Sequence, residues 1–233
     1  MNFLKKLAKP PAGDHSTLDG HLGRILQDYA IDLVIDVGAN EGQFGKRLRA
    51  IGYRGEIHSF EPVSATFERL QAAAAGDSLW RLNNCALGTE KGEAQINVSK
   101  SSDFSSLLEP SAFGAESFKG LAHDHKETIR IERADVLLAD VTVGRSVFLK
   151  MDTQGFDLEV FRGAAGILDR VSAMMGEISF IPAYQGMPGY RDQLDAYAGA
   201  GFSVSGLFAV TRNKKTHTLI EMDCVLVRES ARL

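Results

Sequence analysis

The stretch DLVIDVGANEGQFGKRLRAIG, residues 32–52, decides the architecture. Its first six residues are an apolar run carrying acids at Asp32 and Asp36, which suits a strand buried on both faces. The small-residue turn Gly38-Ala39-Asn40-Glu41-Gly42 follows. Phe44, Leu48 and Ile51 then recur at i, i+4 and i+7, one face of a helix. The unit is strand, tight turn, helix, and it repeats. GEIHSF (55–60) reads as a strand, and Val63, Phe67, Leu70 and Ala74 keep the helical spacing. SLWRLNNCAL (78–87) is a third strand.

From about 88 to 145 the alternation weakens to a hairpin region: EAQINV (93–98), ETIRIER (127–133) and, between them, the loop SKSSDFSSLLEPSAFG. SVFLKM (146–151) resumes the pattern, followed by a helix with Phe156, Val160, Phe161, Ala164 and Ile167 inward. Next come the strand SAMMGEISF (172–180) and a helix around Tyr190, Leu194 and Tyr197. FSVSGLFAV (202–210) and TLIEMDCVLV (218–227), joined by the charged turn TRNKKTH, close the chain as an antiparallel hairpin.

Alternating strands and helices imply βαβ crossovers and an α/β fold. The expected form is Rossmann-like: a mostly parallel seven-stranded sheet with a C-terminal antiparallel hairpin, the shape of class I methyltransferases. One domain is expected over 30–228, with 1–29 an extension and lead-in helix and 88–145 an insertion. At 233 residues, roughly 70–75% of the unfolded chain's surface is buried on folding, so no metal or disulfide staple is required.

The net charge of −4 argues against a nucleic-acid partner, whose affinity comes from clustered cations. The basic groups Lys5, Lys6, Lys9 and Arg212, Lys214, Lys215 read as solvated charge. Cys85 and Cys224 sit in apolar runs and suggest reduced thiols in a cytoplasmic protein. No apolar run reaches membrane-spanning length, and MNFLKKLAKPP lacks the apolar core of a secretion signal.

In doubly wound sheets, ligands sit beyond the carboxyl ends of the strands near the switch point. That rule marks Asp36, Glu61 and Asp152. The first turn has Gly-x-x-x-Gly spacing flanked by Asp36 and Glu41, whereas a dinucleotide cradle uses Gly-x-Gly-x-x-Gly. Two acids repel a pyrophosphate and suit a cation such as S-adenosylmethionine, held by Asp36, Gly38, Ala39 and Asn40. Glu61, about twenty residues on, is placed to accept both ribose hydroxyls of an adenosine. The alternative is a helix-start carboxylate ahead of Pro62. Asn84 and Cys85, ending the third strand, are candidates for the adenine edge; a strand-end turn explains them equally well.

DVGANEGQFG, SFEP, NNCALG, FLKMDTQGFDLEVFRGA, GEISFIPAYQG and EMDCVLVRE stand in the order found in FkbM-type methyltransferases, which the chain resembles over about 30 to 228. The LKMDTQG box followed by an aromatic and an acid is the most specific part. The resemblance implies S-adenosylmethionine-dependent O-methylation of a hydroxyl on a small molecule, sugar or glycan. Many members carry Glu where this chain has Gln154.

Asp152 is the candidate to orient or deprotonate the acceptor hydroxyl. Lys150, two residues back on the same strand face, is expected to pair with it and set its charge. Asp157 lies where helix-start carboxylates are favoured. Glu177, a carboxylate in an apolar strand, is costly unless paired or working, and is assigned to the acceptor pocket or to base catalysis. Tyr184 and Gln185 are candidate pocket walls, and Ser102, Ser105 and Ser106 a candidate cover over the cofactor. His123 and His125 form a His-x-His in what reads as a polar loop, a weak metal signal. No metal site is assigned, and a divalent ion at Asp152 stays open because strand-end carboxylates can hold Mg²⁺. The competing readings are a catalytically silent adenosyl-binding protein and a nucleotide-dependent oxidoreductase.

Overall fold

β1 (Leu33–Val37), β2 (Glu56–Phe60) and β3 (Trp80–Asn83) run parallel, with α2 (Gln43–Ala50) and α3 (Ser64–Ala74) as the crossovers. The lead-in helix α1 (Leu18–Asp28) precedes them, its first turn capped by Thr17. This is a computed structural model, which describes residues 14–231; the stretch MNFLKKLAKPP, including Lys5, Lys6 and Lys9, lies outside them.

The predicted third strand is broken. β3 stops at Asn83, and β4 (Ala86–Leu87) joins a separate three-stranded sheet with β5 (Gly92–Ser99) and β6 (His123–Glu132) in the order β4-β6-β5. The expected hairpin is present, β5 pairing antiparallel with β6, and β4 extends it in parallel to a small sheet, with short helices α4 (Ala112–Ser117) and α5 (Ala134–Leu137) beside it. His123 and His125 fall in the exposed start of β6, not in a loop.

β7 (Val147–Met151) then returns to pair with β1, and α6 (Asp157–Gly163) leads to β8 (Val171–Ser179). α7 (Tyr190–Gly199) precedes β9 (Ser203–Arg212) and β10 (Leu219–Val227), which run antiparallel to each other. The main sheet has the order β3-β2-β1-β7-β8-β10-β9, seven strands with only β10 reversed against β8 and β9.

Every residue of β1 and β7 is buried, as a central parallel strand covered on both faces requires. Leu33, Ile35 and Val37 project into one apolar layer with Leu149, Met151, Phe161 and Tyr197. Val34 and Phe148 project into the other with Leu22, Phe44, Leu48 and Trp80. The order reverses between β1 and β7, so the switch point falls where the glycine turn and Asp152 meet.

Candidate active site

Gly38 takes φ +71°, and a Cβ there would stand 1.9 Å from the Asp152 carbonyl oxygen. The glycine is demanded by the close approach of the chain leaving β7. Asn40 also takes a left-handed φ, +48°, a conformation Asn tolerates. Its backbone N–H donates to Glu61 Oε2 at 3.0 Å, and its side-chain amide donates to Asp103 Oδ1 at 2.6 Å. The turn thus grips both the end of β2 and the serine-rich loop.

The acids flanking this turn each have a partner within the chain. Asp36 is fully buried; Ser59 donates to its Oδ2 at 2.8 Å, and Trp80 donates in turn to Ser59 at 2.9 Å. Lys150 Nζ lies 3.1 Å from Asp36 Oδ1, 2.8 Å from the Gly38 carbonyl and 3.7 Å from Asp152 Oδ2. Lys150 is therefore first the partner of Asp36 and only second that of Asp152. Burial opposes its charge, but Asp36 and then Asp152 outweigh that and hold its pKa above the ordinary lysine value. Glu41 turns outward to Arg69, 2.7 Å away. Asp36 and Glu41, which the sequence suggested as acids for a cationic ligand, are each paired with a cation of the chain itself.

Glu61 lies at the end of β2, in the cavity wall. Each carboxyl oxygen accepts one backbone N–H, Oε2 from Asn40 and Oε1 from Val63 at 2.9 Å, which leaves a lone pair on each for a further donor. Burial pushes its pKa up to about 7 against those two hydrogen bonds. Asn84 and Cys85 do not line the cavity beside Glu61. Asn84 is exposed, and its amide ties down the Glu61 and Pro62 carbonyls. Cys85 is fully buried in the apolar layer of Leu87 and Phe161, because the strand breaks between Asn83 and Ala86 and turns the thiol inward. The apolar wall facing Glu61 comes from Leu87, Ile96 and Phe156 instead.

Asp152 is half-exposed at the centre of the site. Gln154 Nε2 donates to its Oδ1 at 3.0 Å, and Tyr184 donates to Gln154 Oε1 at 2.9 Å. Gln154, at φ +54°, thus spans from the strand-end carboxylate to Tyr184. An acid at 154 would accept from Tyr184 but offer Asp152 no proton. The Tyr184 hydroxyl shares its one proton between Gln154 Oε1 and the Phe104 carbonyl, 3.2 Å away, and Ser106 donates to the Gln154 carbonyl at 2.7 Å, so the loop 102–107 is fastened over the cavity. Gln185 instead donates to the Pro110 carbonyl.

Asp157 is buried at the first turn of α6. Its Oδ1 accepts from the Thr153 N–H and hydroxyl, and its Oδ2 from the Glu177 N–H. Burial raises its pKa to about 6. Glu177 faces the cavity with carboxylates as its charged neighbours; burial first, then Asp152 and Glu221, hold its pKa well above the ordinary value. Glu221 and Asp223 on β10 were missed in the sequence. Acids inside an apolar strand are the signal that exposed Glu177, and EMDCVLV carries the same signal twice.

These groups enclose a cavity of about 330 Å³, from Glu61 and Leu87 at one end to Glu177, Glu221 and Thr211 at the other. A second depression of about 210 Å³ adjoins it across Gly38, Asn40 and Asp152, and reaches Ala39, Lys150 and Asp223. Among the described residues no three His, Cys, Asp or Glu side chains converge as metal ligands. Nor is any described helix long and apolar enough to cross a membrane.

Among solved structures, the chain is similar to the magnesium protoporphyrin IX methyltransferase of Synechocystis with bound SAM, at 12% identity and TM-score 0.50, over 92% of this chain and 79% of that one. It is also similar to the Aeropyrum pernix fibrillarin with natively bound S-adenosyl-L-methionine (11% identity, TM-score 0.48, 89% and 74%). A third similarity is to the ribosomal protein L11 methylase of Lactobacillus delbrueckii (11%, 0.47, 92% and 80%). The first of these supports a class I methyltransferase fold. No curated protein has a significant sequence match. A family model described as the methyltransferase FkbM domain matches residues 36–204, from Asp36 through the LKMDTQG box to β9, and by that match the chain belongs to the FkbM methyltransferase family.

Proposed function

We propose that the protein transfers a methyl group from S-adenosylmethionine to a hydroxyl of a small molecule, sugar or glycan, with Asp152 as the proton acceptor. The supporting observation is that Asp152 stands half-exposed between the Glu61 end of the cavity and the Glu177–Glu221 end, oriented by Gln154. The residues suit the cofactor: Glu61 has two free lone pairs for a vicinal diol, and Leu87, Ile96 and Phe156 offer an apolar wall to a flat base.

The bound cofactor supplies an electrophilic methyl group, whose carbon–sulfur bond breaks as the carbon–oxygen bond forms and whose sulfur leaves as a neutral thioether. The chain supplies placement and a proton acceptor, which together suffice for such a displacement. The hydroxyl proton passes to the Asp152 carboxylate. Lys150 positions Asp152 from behind, being held by Asp36 and the Gly38 carbonyl. Glu177, in the cavity wall at the acceptor end, contacts the acceptor rather than acting as the base. The Asp103–Ser106 loop covers the site and limits water.

The test is Asp152→Asn, assayed by transfer of labelled methyl groups to a panel of hydroxylated small molecules and sugars. Turnover is expected to fall by about 10²–10⁴-fold while the Kd for S-adenosylhomocysteine changes little. Equal turnover in the variant removes Asp152 from the chemistry. Binding without transfer by the wild type to any acceptor favours a silent adenosyl-binding protein.

A further inference from the structure

Strand register puts a row of carboxyl groups on one face of the sheet. Asp36 lies opposite Lys150, and Lys150 opposite Met175. Two residues further along these strands come Gly38, Asp152 and Glu177; Glu177 lies opposite Asp223, Ser179 opposite Glu221, and Glu221 opposite Thr211. Residues directly opposite, and residues two apart on a strand, share a face. Asp152, Glu177 and Glu221 therefore line the acceptor end of the cavity, and Asp223, on the same face, lines the adjoining depression beside Lys150.

The chain provides little to offset them. Lys150 is committed to Asp36 and to the Gly38 carbonyl. Arg47, at the rim beside Asp223, is paired with Asp19 at 3.2 Å. The sulfonium of the cofactor accounts for one of the four carboxyl groups. Glu221 is 8% exposed and opens on the cavity. Ser179, directly opposite it, is 1% exposed, and its hydroxyl has no hydrogen-bond partner. A buried hydroxyl left in that state adds polarity without charge behind Glu221. Electrostatic complementarity at such a surface selects sign as much as shape.

We propose that the acceptor carries a protonated amine close to the hydroxyl that is methylated, as an amino sugar or amino alcohol does. The ammonium group is seated by Glu177 and Glu221, and phosphorylated acceptors and nucleic acids are rejected by the same carboxyl row. This rests on the methyltransferase reading above. Binding of the ammonium draws protons off the two glutamates, whose pKa values burial holds above the ordinary range.

The experiment titrates the full-length protein, saturated with S-adenosylhomocysteine at neutral pH, with two matched sets. One is D-glucosamine, D-glucose and D-glucose 6-phosphate; the other is serinol, glycerol and glycerol 3-phosphate. In at least one set the amine is expected to bind about tenfold or more tightly than its neutral counterpart, and the phosphate most weakly. Glu177→Gln and Glu221→Gln, each checked for native circular dichroism, should each shrink that advantage by about threefold or more. Several results overturn the proposal: the neutral or phosphorylated compound binding as well as the amine, the advantage surviving intact in both variants, or no amine binding to protein that does bind S-adenosylhomocysteine. Failure to bind S-adenosylhomocysteine at all is a different result and removes the methyltransferase reading itself.

Discussion

Glu61→Gln tests the cofactor end directly. Glu61 is 6% exposed, and its two oxygens already hold the Asn40 and Val63 N–H groups. If two ribose hydroxyls complete the shell, they donate to an ionised carboxylate, and hydrogen bonds to charged groups contribute about 1.5–3 kcal/mol each. The amide keeps the shape but turns one acceptor into a donor, which then faces either a backbone N–H or a ribose hydroxyl. At pH 8.5, where the native carboxyl is ionised, S-adenosylhomocysteine should bind the variant about 10–150-fold more weakly by calorimetry. The free carboxyl has a pKa of about 7, raised by burial, so a ligand that requires the ionised form must displace a proton below that pH. Wild-type affinity should therefore fall about tenfold between pH 8 and pH 6, because binding below pH 7 releases one proton. Glu61→Gln should lack that dependence, although the titratable Asp157 and Asp223 remain. A wild-type Kd flat across this range, or a variant within threefold of wild type at pH 8.5, refutes the assignment.

Lys150→Met leaves Asp36 buried with only Ser59 to offset its charge, and breaking such a pair costs about 3–5 kcal/mol; urea denaturation should show it, and Asp36→Asn/Lys150→Met should recover most of it. A loss below about 1 kcal/mol in the single variant rejects the ion pair as a structural bracket. Gly38→Ala forces a Cβ to within 1.9 Å of a backbone oxygen at φ +71°, so it should separate β1 from β7 and yield little soluble native protein. A near-native Tm for that variant rules out the close approach. Asp157 contributes to pH dependence through its folded pKa of about 6, above its ordinary value of 3.8. Its contribution is full below the unfolded pKa and is lost as pH rises through about 6, roughly 3 kcal/mol in all. The stability difference between pH 4 and pH 7.5 should be smaller by about that amount in Asp157→Asn; an unchanged difference rejects it.

The seven-stranded sheet was legible because its evidence is periodic. Apolar runs of strand length, each followed by helical spacing, leave few alternatives to βαβ crossovers, and β1, β2, β7, β8, β9 and β10 fall within a residue or two of their expected places. The third strand was misread because apolar residues stand on both sides of Asn83 and Asn84 (Leu79, Trp80 and Leu82 before, Cys85, Ala86 and Leu87 after); only the three-dimensional course of the chain shows that Asn84 lies between two different sheets. The place of Glu61, at the end of β2 and bonded to the glycine turn, was legible from its distance to that turn. The roles of Asp36 and Glu41 were not, since a carboxylate at a strand end looks the same in sequence whether its partner is a ligand, Lys150 from a strand over a hundred residues away, or Arg69 from the next helix. Glu221 was legible in principle: Glu177 drew notice as an acid in an apolar strand, and the same test applied to β10 finds Glu221 and Asp223.

The polarity packed into the end of β7 divides into a structural part and a chemical part, and Lys150 is the divider. Its ammonium sits between β1 and β7, drawing Asp36, the Gly38 carbonyl and Asp152 to one point. Removing that charge would leave Asp36 unmatched in an apolar layer and release the glycine turn from the strand that demands its left-handed backbone. The turn in turn sets Asn40, whose N–H fixes Glu61. A single buried cation thus transmits position from the sheet to both ends of the cavity. The carboxyl groups it does not reach, Glu177 and Glu221, have no cation among the described residues beside them in the cavity wall, which is why the proposed ammonium is seated there.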